Sequence, residues 1–168
     1  YLHDSTAQNI IGKGSVYYKT DIPRDCHINF NNSSDSKVFI GEGVAGNFSI
    51  SIRGDNSTVY IGNYCRLSGL RINSNQTNDF VAIGNHVTTT ARNTWISGKG
   101  AGNARPFIII GDDCMFAYDI VIRNTDEHPI ISSVDDSQIN SPKLGVVIEP
   151  HVWVCEQVNI LKDLCIGA

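Results

Sequence analysis

One spacing rule governs most of this chain: aliphatic side chains recur in alternating steps of four and two residues. Ile110, Cys114, Phe116, Ile120 and Ile122 obey it, and so do Ile148, Val152, Val154, Val158, Ile160, Leu164 and Ile166. The underlying period is six. An amphipathic helix repeats every 3.6 residues and a free strand every two, so neither produces this pattern; a short strand plus a turn, repeated three times per coil, does. About 18 residues then close one triangular coil. Each strand of such a coil pairs with its counterpart about 4.8 Å above and below, and the inward residues stack into an aliphatic column.

Aliphatic-Gly steps mark one point of each coil: Ile40-Gly41, Ile61-Gly62, Ile83-Gly84, Ile110-Gly111 and Ile166-Gly167, with Ile148-Glu149 in the same role and Ile11-Gly12 before them. From Ile40 onward the separations are 21, 22, 27, 38 and 18 residues. The surplus is expected to leave at the corners, and the largest lies between Ile122 and Val146, where "RNTDEHPI" stands. Gly, Asn, Asp and Ser are spread throughout and no long stretch of strong helix formers exists, which predicts a nearly all-β chain. The expected organisation is one β-helix domain over 1–168, with irregular first coils over 1–37 ("GSVYY", "CHINF", "NNSSDS") and an inserted loop over 123–146.

At 168 residues the chain suits a single core. Its formal charge of −4 and pI near 5.6 come from charges scattered singly, with no basic patch to mark nucleic acid or an anionic membrane as partner. It contains neither an apolar run of about 18 residues nor a secretory leader, so no membrane span is expected and the cytoplasm is the default location. Cys26, Cys65, Cys114, Cys155 and Cys165 include no CxxC pair; Cys65, Cys114 and Cys165 are expected to point inward, as reduced apolar fillers. The chain begins at Tyr1 and stops at "CIGA" within a repeat, as part of a longer protein would.

The histidines decide between chemistries. His3, His27, His86, His128 and His151 form no close pair with ligand spacing, which argues against zinc. His86 and His151 each follow an inward isoleucine by three residues and precede an inward valine, a turn position. His128 stands on the inserted loop, either as a surface residue before a proline turn or as a base whose unperturbed pKa suits neutral pH.

The hexad pattern resembles the left-handed parallel β-helix of hexapeptide-repeat acyltransferases. More narrowly, "IGDDCMFAYDIVIRNTDEHPI" (110–130) and "VVIEPHVWVCEQVNILKDLCIGA" (146–168) resemble bacterial sialic-acid and capsular-polysaccharide O-acetyltransferases. The period alone is shared with gamma-class carbonic anhydrases and nucleotidyltransferase appendages; the "RNTDEHPI … HVWV … NILKD" series is much more specific. The left hand comes from the resemblance, since the general rule for parallel crossovers predicts the right.

The resemblance implies a bacterial homotrimer with active sites between neighbouring subunits, moving acetyl from acetyl-CoA to a hydroxyl of a cell-surface carbohydrate without a metal. His128 is then the general base, and Asp126, on the same side of an extended "DEH", could orient its ring. Asn124 and Asp126 either contact the acceptor or hold the loop. Trp153 points outward, as a wall and N–H donor near the thioester or as packing at a subunit interface. Cys155, Lys162, Gly167 and Ala168 border the expected cofactor groove, although Lys162 reads equally well as a solvated turn residue, and an acyl-Cys155 route lacks an adjacent base. Glu149, Cys155 and Asp163 depart from the glycines usual at their places. Two other functions fit the same residues: an inactive trimeric β-helix that binds carbohydrate or serves assembly, and an acetyltransferase for antibiotics or other small alcohols.

Overall fold

In the computed structural model, which describes residues 10–98, 105 and 107–168, the isoleucines of the aliphatic-Gly steps stand directly above one another. Strand register places Tyr18, Ile40, Ile61, Ile83, Ile110, Ile148 and Ile166 in one column. The described residues form eighteen short strands and no helix. They make three sheets of seven, four and seven strands, each paired in parallel with the equivalent strand of the next coil. The chain crosses the isoleucine-bearing face first, then a narrow face built from Arg66–Leu67, Thr88–Ala91, Met115–Tyr118 and Trp153–Val154, then a polar face running from Ile10–Ile11 to Asn159–Ile160.

Inward residues of all three faces meet in the core. Ile61, Ile72, Ile83, Ile108, Ile122 and Ile148 are fully buried, each stabilising the fold by about 1.5–3 kcal/mol relative to exposure. Trp95 packs edge-on against Phe116, centroids 5.1 Å apart.

Close stacking explains the glycines. A Cβ on Gly62 would lie 2.5 Å from the carbonyl carbon of Gly84, and one on Gly41 2.5 Å from that of Gly62; real Cβ atoms do not approach so closely. The next residues tie the coils together. Asn63 N–H donates to Asn85 Oδ1 (2.9 Å), and Asn85 N–H donates to Asp112 Oδ1 (2.7 Å). Beyond them Tyr64, His86, Asp113 and His151 all take left-handed φ of 57–64°, so His86 and His151 are turn residues, as their spacing predicts.

The ends of the stack depart from the expected register. Ile11 is 62% exposed, because Ile10–Ile11 pairs with His27–Asn29 on the polar face and Tyr18 occupies the column instead. Cys165, expected inward, is exposed: it lies between Leu164 and Ile166 and takes the outward phase opposite Val147. Cys26 is buried in its stead. Leu164 has the inward phase yet remains 42% exposed, on the outermost strand of its sheet. His3 falls outside the described residues.

Candidate active site

The 38-residue separation is taken up where the chain leaves Val121–Arg123 on the polar face and returns at Val146–Ile148 on the isoleucine face. The excursion over 124–145 therefore projects from the corner between those two faces. His128 is exposed on it, and its imidazole has no hydrogen-bond partner among the described residues.

Asn124 anchors the start of the loop. It is fully buried, its Nδ2 donates to Ser97 Oγ (2.5 Å) and its Oδ1 accepts from Gly98 N–H (2.9 Å). From there it supports the loop from below rather than facing a ligand. Ser97 Oγ in turn donates to Asp79 Oδ1, and Asp79 N–H donates to Ser57 Oγ (3.2 Å). A buried polar file thus runs under the corner. Burial pushes the Asp79 carboxyl up to about 6, against the lowering effect of the Ser97 hydroxyl.

A second set of bonds holds the loop from above. Asn140 Nδ2 donates to the His128 carbonyl (2.8 Å) and to Asp126 Oδ2 (2.9 Å), while its Oδ1 accepts from Ile130 N–H (2.7 Å). One amide therefore brackets Pro129 and fixes the backbone that presents the histidine. Lys162, at the same corner of the following coil, donates to Asp126 Oδ2 and to the Asn140 carbonyl (2.6 Å). Its ammonium holds the Asp126 carboxyl below the usual carboxylate range. Asp163 Oδ1 accepts from the N–H groups of Lys143 (2.9 Å) and Leu144 (2.6 Å) as the loop returns.

The structure therefore joins Asp126 to Lys162 rather than to the His128 ring, and makes Lys162 a clamp on the loop rather than a free turn residue. It does not bring His128 and Trp153 together within one chain. Trp153 is 66% exposed on the outside of the narrow face, beside Met115 of the coil before it, and in a three-sided coil that face lies opposite the corner bearing the loop. Cys155 is an exposed free thiol just past Trp153. Gly167 stacks over Glu149, whose Oε2 lies 3.0 Å from where a Cβ would stand, and Ala168 is exposed beside it.

Sequence reasoning missed Asn140, Ser97 and Asp79, none of which belongs to a periodic signal. Asp163 left a trace: it departs from an expected glycine at a position where φ is 60°, and its carboxylate is used.

No protein-family model matches the chain. Over 128 residues, 67% of this chain and 59% of the relative, it is 36% identical to the polysialic acid O-acetyltransferase of Neisseria meningitidis. Over 91 residues, 54% of this chain and 29% of the relative, it is 35% identical to the polysialic acid O-acetyltransferase of Escherichia coli O1:K1 / APEC. The chain thus spans about three-fifths and under a third of the lengths of these curated relatives. Among solved structures it is similar to that described as the crystallographic analysis of the polysialic acid O-acetyltransferase OatWY, with a TM-score of 0.58 and 24% identity, covering 93% of this chain and 72% of that one. The resemblance read from the sequence is borne out, and the fold is a left-handed parallel β-helix.

Proposed function

We propose that this chain is an O-acetyltransferase that moves acetyl from acetyl-CoA to a hydroxyl of an acidic capsular or surface polysaccharide. The observation that carries this reading is the 36% identity, over 128 residues, to a relative named as a polysialic acid O-acetyltransferase. The exposed His128 on a doubly clamped loop supports it.

An alcohol is a poor nucleophile at neutral pH, so the reaction needs a base within reach of the acceptor hydroxyl. His128 takes that proton. The oxygen attacks the thioester carbonyl, the carbon–sulfur bond breaks, and the proton passes from the imidazolium to the leaving thiolate. No covalent enzyme intermediate is needed.

Trp153 serves as wall and N–H donor beside the thioester of a neighbouring copy, because one chain holds it and His128 on opposite sides. Ile130, Ile131, Val134 and Ile139 of the loop are 51–93% exposed, a cluster that gains burial when a second copy packs against the loop. A homotrimer with its sites at these contacts accounts for both features. Cys155, Gly167 and Ala168 then border the cofactor path.

The test is release of free thiol from acetyl-CoA in the presence of sialic-acid oligomers, other glycans or small alcohols. Acceptor-dependent release that His128→Ala abolishes supports the reading. Release with small alcohols alone moves the acceptor class, and no release together with no coenzyme A binding indicates an inactive binding or assembly module.

A further inference from the structure

We propose that a groove at the corner between the narrow and polar faces, lined by residues outside the His128 loop, binds a carboxylate-bearing segment of the acceptor polysaccharide. This rests on the transferase reading above and adds a second point of attachment for its acidic substrate.

The groove has a volume of about 850 Å³. Gly69 and Ala91 are among its small lining residues. Gly69 lets the coils stack closely there: with φ of 61°, its missing Cβ would stand 2.9 Å from the Cα of Ala91. Along the wall, His27, Ser49, Arg71 and Thr94 are register partners on four successive strands, a run of about 14 Å at the usual strand spacing. A chain of several sugar rings lying parallel to the coil axis fits such a trough.

Its chemistry is lopsided. Arg71 is exposed, and its guanidinium has no acceptor among the described residues. Asn47 spends its Oδ1 on Gly69 N–H (2.8 Å), which leaves its amide NH₂ without a partner among them. Arg92 is held as a rigid fork by Asp119, with Nε to Oδ1 at 2.7 Å and Nη2 to Oδ2 at 2.8 Å, and retains a further N–H edge. Ser49 and Thr94 add hydroxyls. Asp25 is the one carboxylate in the lining.

An excess of donors in a protein of net charge −4 calls for an oxygen-rich anion. A carboxylate fits a free guanidinium through two parallel hydrogen bonds, which a neutral sugar hydroxyl cannot make. Nucleic acid is a poor fit, because one free fork and no basic stripe cannot track a phosphate backbone.

The two wide faces differ in the right sense for this groove to take an anion. Outside the isoleucine face Tyr17 and Phe39 stack at 4.9 Å, Tyr60 follows at 6.5 Å from Phe39, and Phe80 is 41% exposed nearby. That surface is aromatic and offers little to an anion. The polar face shows Ser, Asn, Thr and Arg to solvent.

The test titrates the purified chain with sialic-acid oligomers of increasing length and with neutral glucose oligomers of matched length, by calorimetry, for wild type, Arg71→Ala, Arg71→Lys and a control Arg53→Ala outside the groove. Expected is binding of the acidic oligomers alone, weakened about tenfold or more by Arg71→Ala, partly kept by Arg71→Lys and unchanged by Arg53→Ala. In turnover, Arg71→Ala raises KM for long acidic acceptors. Acidic binding indifferent to Arg71, equal binding of neutral oligomers, or no binding at all overturns the groove, even where thiol release proceeds. Arg71-dependent binding without any thiol release upholds the groove and defeats the transferase reading instead.

Discussion

The coil and the loop it carries are held together by different means. In the coil, backbone N–H groups donate to the carbonyls of the next coil, as from Gly41 to Ile61, Gly62 to Ile83 and Gly84 to Ile110, each at 2.8 Å. Inward side chains are mostly small or aliphatic in the right phase, and a few polar side chains, such as Asn63, Asn85 and Asp112, add bonds from coil to coil. In the loop over 124–145 the work passes to side chains: Asn124 below, Asn140 within, Lys162 and Asp163 above. The comparison shows why a regular scaffold suits a catalytic excursion. Backbone bonding makes the platform insensitive to most substitutions, and a few polar residues fix one loop upon it.

The sharpest separation of the two regions is expected from His128→Ala. Thiol release should fall about 10²- to 10⁴-fold, the usual contribution of a general base, while the melting temperature stays unchanged because the side chain is exposed and unpartnered. A drop in stability as large as the drop in rate would mean that the histidine belongs to the scaffold.

Next comes the scaffold itself. Gly62→Val forces side-chain atoms into the backbone of Gly84, which the structure places 2.5 Å from a Cβ. A loss of about 3 kcal/mol or more is expected, read by thermal or urea denaturation. A variant that melts like wild type would show that the coils can separate locally.

The buried file under the loop gives a pH test. Asp79 titrates near 6 in the folded chain and near 3.9 when unfolded. A raised value means that its neutral form favours folding: that stability is complete below about pH 4 and is lost as pH rises through about 6. Asp79→Asn carries no charge at any pH. Between pH 4 and 7, wild type should therefore lose up to about 3 kcal/mol relative to the variant, and parallel stability curves would refute the assignment.

The smallest effect is expected at the upper clamp. Lys162→Met frees Asp126 and the Asn140 carbonyl, and turnover should fall about tenfold through a less ordered His128. Stability should change by less than about 1 kcal/mol, since the pair is partly solvated. If coenzyme A affinity falls instead while kcat holds, Lys162 borders the cofactor after all.

Much of the scaffold was legible because its rule is local. Ile110, Ile122, Ile148 and Ile160 are buried where the steps of four and two place them, and His86 and His151 turn where their spacing says. Leu164 has the right phase and is 42% exposed. Cys165 falls off the phase altogether. The loop was legible as an interruption, its histidine as a candidate and Asn124 as a residue that could hold it, but Asn140 and the clamping role of Lys162 were not. Asn140 meets His128 across 12 residues and Lys162 meets Asp126 across 36, contacts that depend on how a particular loop closes. Alternation sets Asp126 on the side of the histidine, whereas the structure bonds it to the lysine of the following coil.

Among the described residues the sheet order pairs each coil only with its neighbours, so strand pairing links residues roughly one turn apart. Such a molecule behaves thermodynamically as a one-dimensional array. Its opening is best described as a front that travels along the axis from one coil to the next. Hydrogen exchange should then change stepwise from coil to coil, so that the paired amides in the coils of Ile72 and Ile83 report on their neighbours and not on distant ones. The loop, pinned between the coil of Asn124 and the coil of Lys162, ties two such steps together.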